Sequence, residues 1–126
     1  MSLILVVDDD PQVRATIVRA LEELGYHTGE AIDGPAALSA LKASERPDLV
    51  ILDYVMPGMD GAEVAREIAA IDPELPIVFS TGHAALRALR LAAGEDVQVL
   101  NKPFTLDELD DLLRERLAER RRGRAA

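Results

Sequence analysis

Three apolar runs in this chain lead straight into charge. Asp8, Asp9 and Asp10 follow Leu3-Ile4-Leu5-Val6-Val7, Asp53 follows Leu49-Val50-Ile51-Leu52, and Lys102 follows Val97-Gln98-Val99-Leu100-Asn101. Branched aliphatics without polar alternation mark strands covered on both faces, as in a parallel sheet flanked by helices. Such sheets bind ligands outside the carboxyl ends of their strands. Side by side, the three ends place carboxylates and an ammonium in one cleft, an arrangement for a cation together with a transferred anion.

Carboxylates gathered this closely repel, and protonation or a bound cation relieves the repulsion. Asp8 and Asp9 therefore suit a hard divalent ion, and oxygen ligands with retained waters favour Mg2+ over zinc. Asp10 reads instead as the cap of the following helix. Asp53 is the candidate reacting group, because a carboxylate can attack phosphorus to give an acyl phosphate while a metal screens the charge between them. Lys102 can pair with Asp53 at rest and with a phosphoryl oxygen after transfer. Thr81, after Ile77-Val78-Phe79-Ser80, adds a hydroxyl donor at the same edge. His83 reads better as a solvent-facing residue at a helix start than as an acid-base group, and His27 has no partner pattern.

These groups are positioned by five alternating strand and helix patterns, the mark of an α/β fold with a parallel sheet. A strand over 3–7 precedes a helix capped by Asp10, with Pro11 in its first turn, Val13, Ile17, Ala20, Leu21 and Leu24 at helical spacing, and Gly25 at its end. A short strand near 27–31 and a helix carrying Ala37, Leu38 and Leu41 form the second unit. The third has a strand over 48–52, a turn through 56–61 and a helix marked by Val64, Ile68 and Ile71, stopped by Asp72-Pro73. The fourth has a strand over 77–80 and an Ala-rich helix over 83–93, with Gly94 behind it. The fifth strand ends at Lys102. Thr105 and Glu108 then form a capping box, with Phe104 and Leu109 as its hydrophobic staple.

At 126 residues and 48% hydrophobic, the chain is long enough for one domain with a real core. We expect a single domain over 1–126, its core spanning about 3–120 and a basic tail spanning 121–126. Fourteen Lys and Arg against 23 Asp and Glu leave a net charge of −9, which opposes direct binding to nucleic acid or to an anionic membrane. Arg114, Arg116, Arg120, Arg121, Arg122 and Arg124 read as a solvated run at a helix C-terminus, where cations favour the dipole. No cysteine, signal segment or membrane-length apolar run is present, and a cytoplasmic location is the expectation.

Taken in order, Val6-Val7-Asp8-Asp9-Asp10, the run from Asp48 to Gly61, Ser80-Thr81-Gly82 and Lys102-Pro103-Phe104 resemble the receiver domain of two-component response regulators over nearly the whole chain. The resemblance implies a flavodoxin-like (βα)5 fold, a five-stranded parallel sheet of order 2-1-3-4-5 with helices on both faces. It implies a signalling domain rather than an enzyme, one that accepts a phosphoryl group from a histidine kinase or histidine phosphotransfer protein onto Asp53. By the same resemblance Asp9, Asp53 and the backbone carbonyl of Val55 are Mg2+ ligands, and Asp8 supports the ion through water. Thr81 is the switch hydroxyl, Lys102 pairs with the phosphoryl group, and the Lys102-Pro103 bond is cis. A downstream effector, or a second copy in a homodimer, would use the face of helix 4, strand 5 and helix 5.

Two features depart from the family's pattern. Val99 stands where an aromatic residue often accompanies the threonine shift, and no effector domain follows the last helix, so the chain is a stand-alone receiver or part of a larger regulator or hybrid kinase. Other classes fit less well. Phosphatases of the haloacid dehalogenase type place a second acid two residues after the nucleophile, where this chain has Val55. A flavin site needs a glycine- and hydroxyl-rich phosphate loop where this chain has Asp8-Asp9-Asp10-Pro11.

Overall fold

In the computed structural model, which describes residues 2–43 and 46–125 with backbone alone for 121–125, strands and helices alternate along the chain. They are β1 Leu3–Val7, α1 Pro11–Glu23, β2 His27–Ala31, α2 Gly34–Lys42, β3 Leu49–Asp53, α3 Gly61–Ile71, β4 Ile77–Thr81, α4 His83–Ala93, β5 Gln98–Asn101 and α5 Leu106–Ala125. The strands form one parallel sheet of order β2-β1-β3-β4-β5. β1 and β3 sit at its centre, so their C-terminal acids are neighbours.

Side chains alternate along each strand and divide the core in two. Leu5, Val7, Val50, Leu52 and Phe79 pack against Ala37 and Leu41 of α2, Val64 and Ile68 of α3 and Leu89 of α4. Ile4, Val6, Leu49, Ile51, Val78 and Leu100 pack against Ile17 and Leu21 of α1 and Leu109, Leu113 and Leu117 of α5. Burial on both faces is why these strands carry uninterrupted aliphatics.

Asp10 caps α1 as the sequence places it, accepting from the backbone of Gln12 and Val13, and the structure adds two caps, Asp33 accepting from Ala36 and Asp60 from Glu63. Thr105 and Glu108 close the capping box with bonds of 3.1 and 3.2 Å. Leu24 and Gly25 end α1 in a Schellman arrangement: Gly25, at φ 94°, frees its neighbour Tyr26 to donate back to the Leu21 carbonyl.

Four expectations change. β5 ends at Asn101, and Lys102 stands beyond it. Asp53 is the last residue of β3 and not the first after it, while Asp48 stands before the strand, its carboxylate accepting from the Leu3 amide at 2.9 Å. Thr81 is likewise the last residue of β4. Arg120 is not solvated. It donates to the Glu74 carbonyl at 2.8 Å and lies 3.5 Å from Asp72, with its side chain 5% exposed. It occupies the same stripe of α5 as Leu109, Leu113 and Leu117. The side chains of Arg121, Arg122 and Arg124 lie outside the described residues.

Candidate functional site

The C-terminal ends of β1, β3, β4 and β5 open into a shallow cleft lined by Asp8, Asp9, Asp10, Asp53, Val55, Thr81 and Lys102, among others. Asp8 is 1% exposed and Asp53 7%, while Asp9 is open to solvent. Carboxylate oxygens of Asp8, Asp9 and Asp53 all lie within 4.8 Å of one another. Three hard oxygen donors at this spacing, one of them solvent-facing, fit a divalent cation that keeps several waters.

Each acid is held by the local backbone. The Asp8 amide continues the ladder by donating to the Ala31 carbonyl, and its carboxylate accepts from the Asp10 amide at 2.9 Å. Arg14, absent from the sequence-level site, donates to the Asp8 carbonyl at 2.7 Å and pairs with Glu30 of β2 at 3.0 Å, fixing the turn that carries Asp8 and Asp9. Its one sequence signal is its place beside Val13 and Ile17 on the inner side of α1. Behind Asp53 the chain is braced by Gly61, which donates to the Tyr54 carbonyl at 2.9 Å. A Cβ on Gly61 would stand 2.7 Å from the Tyr54 Cα and 2.8 Å from the Asp53 carbonyl oxygen, so only glycine fits.

Lys102 follows β5, its amide donating to the Thr81 carbonyl at 2.8 Å, and the Lys102-Pro103 bond is cis. Its ammonium stands 3.4 Å from Asp8 Oδ2 and 3.5 Å from Asp53 Oδ1. Sequence alone pairs it with Asp53; the fold gives it both buried acids, at the long end of hydrogen-bond range. Burial first, and the charge of Asp8 second, push the Asp53 carboxyl up to about 6, against the opposing pull of Lys102 and the Val55 amide. Thr81 is buried and lines the same cleft, its hydroxyl making a contact of 3.4 Å to the Gly82 carbonyl. His83 is exposed and outside the cleft lining.

Residues 4–114 match the family model of the response regulator receiver domain. The chain belongs to this family. It is a receiver domain of two-component signalling, a signalling domain rather than a catalytic enzyme. It is 45% identical over 112 residues to the response regulator receiver protein CpdR of Brucella abortus, covering 86% of this chain and 91% of CpdR. It is also 45% identical over 108 residues to the response regulator MprA of Mycolicibacterium vanbaalenii, covering 84% of this chain but 46% of MprA. The crystal structure of the receiver domain of NtrX from Brucella abortus superposes with a TM-score of 0.84 at 33% identity, over 91% of this chain and 98% of that one. The flavodoxin-like fold and its strand order, implied by the resemblance, are those observed. Among the described residues no helix is long and apolar enough to cross a membrane.

Proposed function

We propose that this receiver domain is a phosphorylation-operated switch in which Asp53 accepts a phosphoryl group from the phosphohistidine of a histidine kinase or histidine phosphotransfer protein, with Mg2+ as cofactor. The observation that carries this reading is the gathering of Asp8, Asp9 and Asp53 within 4.8 Å, with the Lys102 ammonium 3.5 Å from Asp53. In the transfer, an Asp53 carboxylate oxygen bonds to phosphorus as the bond from phosphorus to the donor imidazole nitrogen breaks, and the bonding pair leaves on that nitrogen. Lys102 exchanges its contact with Asp53 for one with a phosphoryl oxygen, and Thr81 donates its hydroxyl to another. Asp9, Asp53 and the Val55 carbonyl would hold Mg2+, with Asp8 supporting it through water. When bound, the ion screens the charge between the attacking oxygen and the phosphoryl group.

The test is intact mass after incubation with acetyl phosphate, with and without Mg2+. A metal-dependent gain of one phosphoryl group that vanishes in Asp53→Asn supports the reading. No gain under any donor overturns it.

The phosphorylated domain acts by biasing a two-state surface that a partner reads, in a cytoplasmic setting and as a single unit over residues 1–126. Its output face is α4, β5 and α5, where it meets an effector or a second copy of itself. Val99 pairs across the ladder with the buried Phe79, whose ring meets Tyr54 edge-on at 6.5 Å. Light scattering with and without beryllofluoride tests the homodimer. The net charge of −9 supports an output through protein and not through nucleic acid or membrane.

A further inference from the structure

Arg14 stands near the start of α1, where the helix dipole disfavours a cation, and its side chain is only 15% exposed. A mostly covered guanidinium at the positive end of a helix calls for a physical reason. Helical side chains lean toward the N-terminus, and this one reaches back over the first turn to donate to the Asp8 carbonyl at 2.7 Å, while its Nε meets Glu30 Oε1 at 3.0 Å. One planar fork thus joins α1, the turn after β1 and the edge strand β2.

The Asp8 carbonyl belongs to the peptide that links Asp8 to Asp9. That unit is planar, so a bond to its oxygen fixes the plane from which both acids depart. Asp8 has two further anchors, its amide donating to the Ala31 carbonyl and its carboxylate accepting from the Asp10 amide. Asp9 is exposed and takes its direction from the backbone that carries it. Resting on the reading of Asp8, Asp9 and Asp53 as the Mg2+ site, we infer that Arg14 is a positioning residue of that site: held by Glu30, it sets the Asp8-Asp9 peptide so that the Asp9 carboxylate stays within 4.8 Å of those of Asp8 and Asp53 before any ion arrives. The role has a sign that charge alone would reverse. A guanidinium beside a cation site repels the ion, so removing only its charge tightens binding. Removing the brace loosens it.

The test is calorimetric titration of the whole chain with Mg2+, comparing wild type with Arg14→Met, Glu30→Gln and the double variant, each shown to be folded by circular dichroism. Arg14→Met, which keeps the stem but loses the fork, should bind about tenfold more weakly, as befits a residue that orients metal ligands from behind. Glu30→Gln, at the exposed end of the brace, should lose about threefold. The double variant should bind no more weakly than Arg14→Met, because Glu30 acts through Arg14. Unchanged or tighter binding by Arg14→Met overturns the role. A Glu30→Gln loss that persists at full size beside Arg14→Met overturns the part given to Glu30, since the ion then responds to its charge alone. Where Arg14→Met does not fold, Arg14→Lys decides: an ammonium keeps the charge but cannot serve both partners, so a loss of about threefold supports the brace and wild-type affinity overturns it. A wild-type chain that binds no Mg2+ overturns the reading of the acidic site, and the role with it; a wild type that binds, with an unaffected Arg14→Met, overturns the role of Arg14 alone.

Discussion

The Lys102 ammonium stands 3.5 Å from Asp53 Oδ1, and still the Asp53 carboxyl holds its proton to about pH 6. Burial and the neighbouring Asp8 outweigh the lysine. The site at rest therefore carries an excess of negative charge that the fold tolerates at a cost, and a cation relieves it.

That cost has a pH signature. Below the ordinary value of 3.8, Asp53 is protonated whether the chain is folded or unfolded, and it contributes nothing. As pH rises from there to about 6, the unfolded chain releases the proton while the folded one keeps it, so stability falls. The full penalty, at most about 3 kcal/mol, holds above that range. Asp53→Asn removes it but also one partner of Lys102, and should stabilise the metal-free protein at pH 7.5 by about 1–2 kcal/mol, seen as a rise of about 5 °C in Tm. The gain should vanish near pH 3.5 and shrink when Mg2+ is added, because the ion binds and stabilises the wild type more. Thermal melts across pH decide it.

Removing the lysine should act in the opposite direction. Lys102→Met leaves Asp8 and Asp53 facing each other without their shared cation, so the Asp53 carboxyl moves further up and the metal-free fold loses about 1–2 kcal/mol at neutral pH. A carboxyl carbon NMR titration of Asp53, alongside urea unfolding, reads both effects. An Asp53 titration at or below that of wild type counts against this account.

Gly61→Ala tests the brace behind the site. The added methyl meets backbone atoms of Asp53 and Tyr54 at 2.7 to 2.8 Å, and backbone has little room to yield. A loss of about 2 kcal/mol is expected. Weaker Mg2+ binding should accompany it, since Asp53 and Val55 flank the displaced peptide. Calorimetric titration with Mg2+ separates the two consequences.

Arg120→Ala removes a buried guanidinium that ties α5 to the segment between α3 and β4 through the Glu74 carbonyl and Asp72. A destabilisation of about 1–3 kcal/mol should follow, with faster amide exchange in the α5 turn around Leu117. Arg120→Lys should recover little, because one ammonium cannot reproduce the planar fork.

Much of this was legible in the residues. Strands buried on both faces announce themselves as aliphatic runs, and Asp10 and the pair Thr105 and Glu108 mark helix starts by local hydrogen bonding that needs no tertiary context. The site residues were legible because each stands at the end of such a run. What escaped depends on packing between distant segments. That Lys102 reaches Asp8 as closely as Asp53 follows from the order of β1, β3, β4 and β5, and a run of residues does not record strand order. Arg120 looked like a surface charge because charge argues for solvent, and Arg14 was passed over, whereas their helical spacing, in line with Leu117 and beside Ile17, puts them on inner faces.

The sheet is also a partition. Its two apolar layers are separated by a wall of continuous, close-packed backbone. By strand parity Asp53 belongs to the compartment of α1 and α5, and Thr81 to that of α2, α3 and α4. The wall is open only along its rim, where the strands stop. A change of charge at Asp53 has one short route to the far compartment, around the ends of β3 and β4 into the first turn of α4, and a dense interior leaves little slack for it to dissipate on the way.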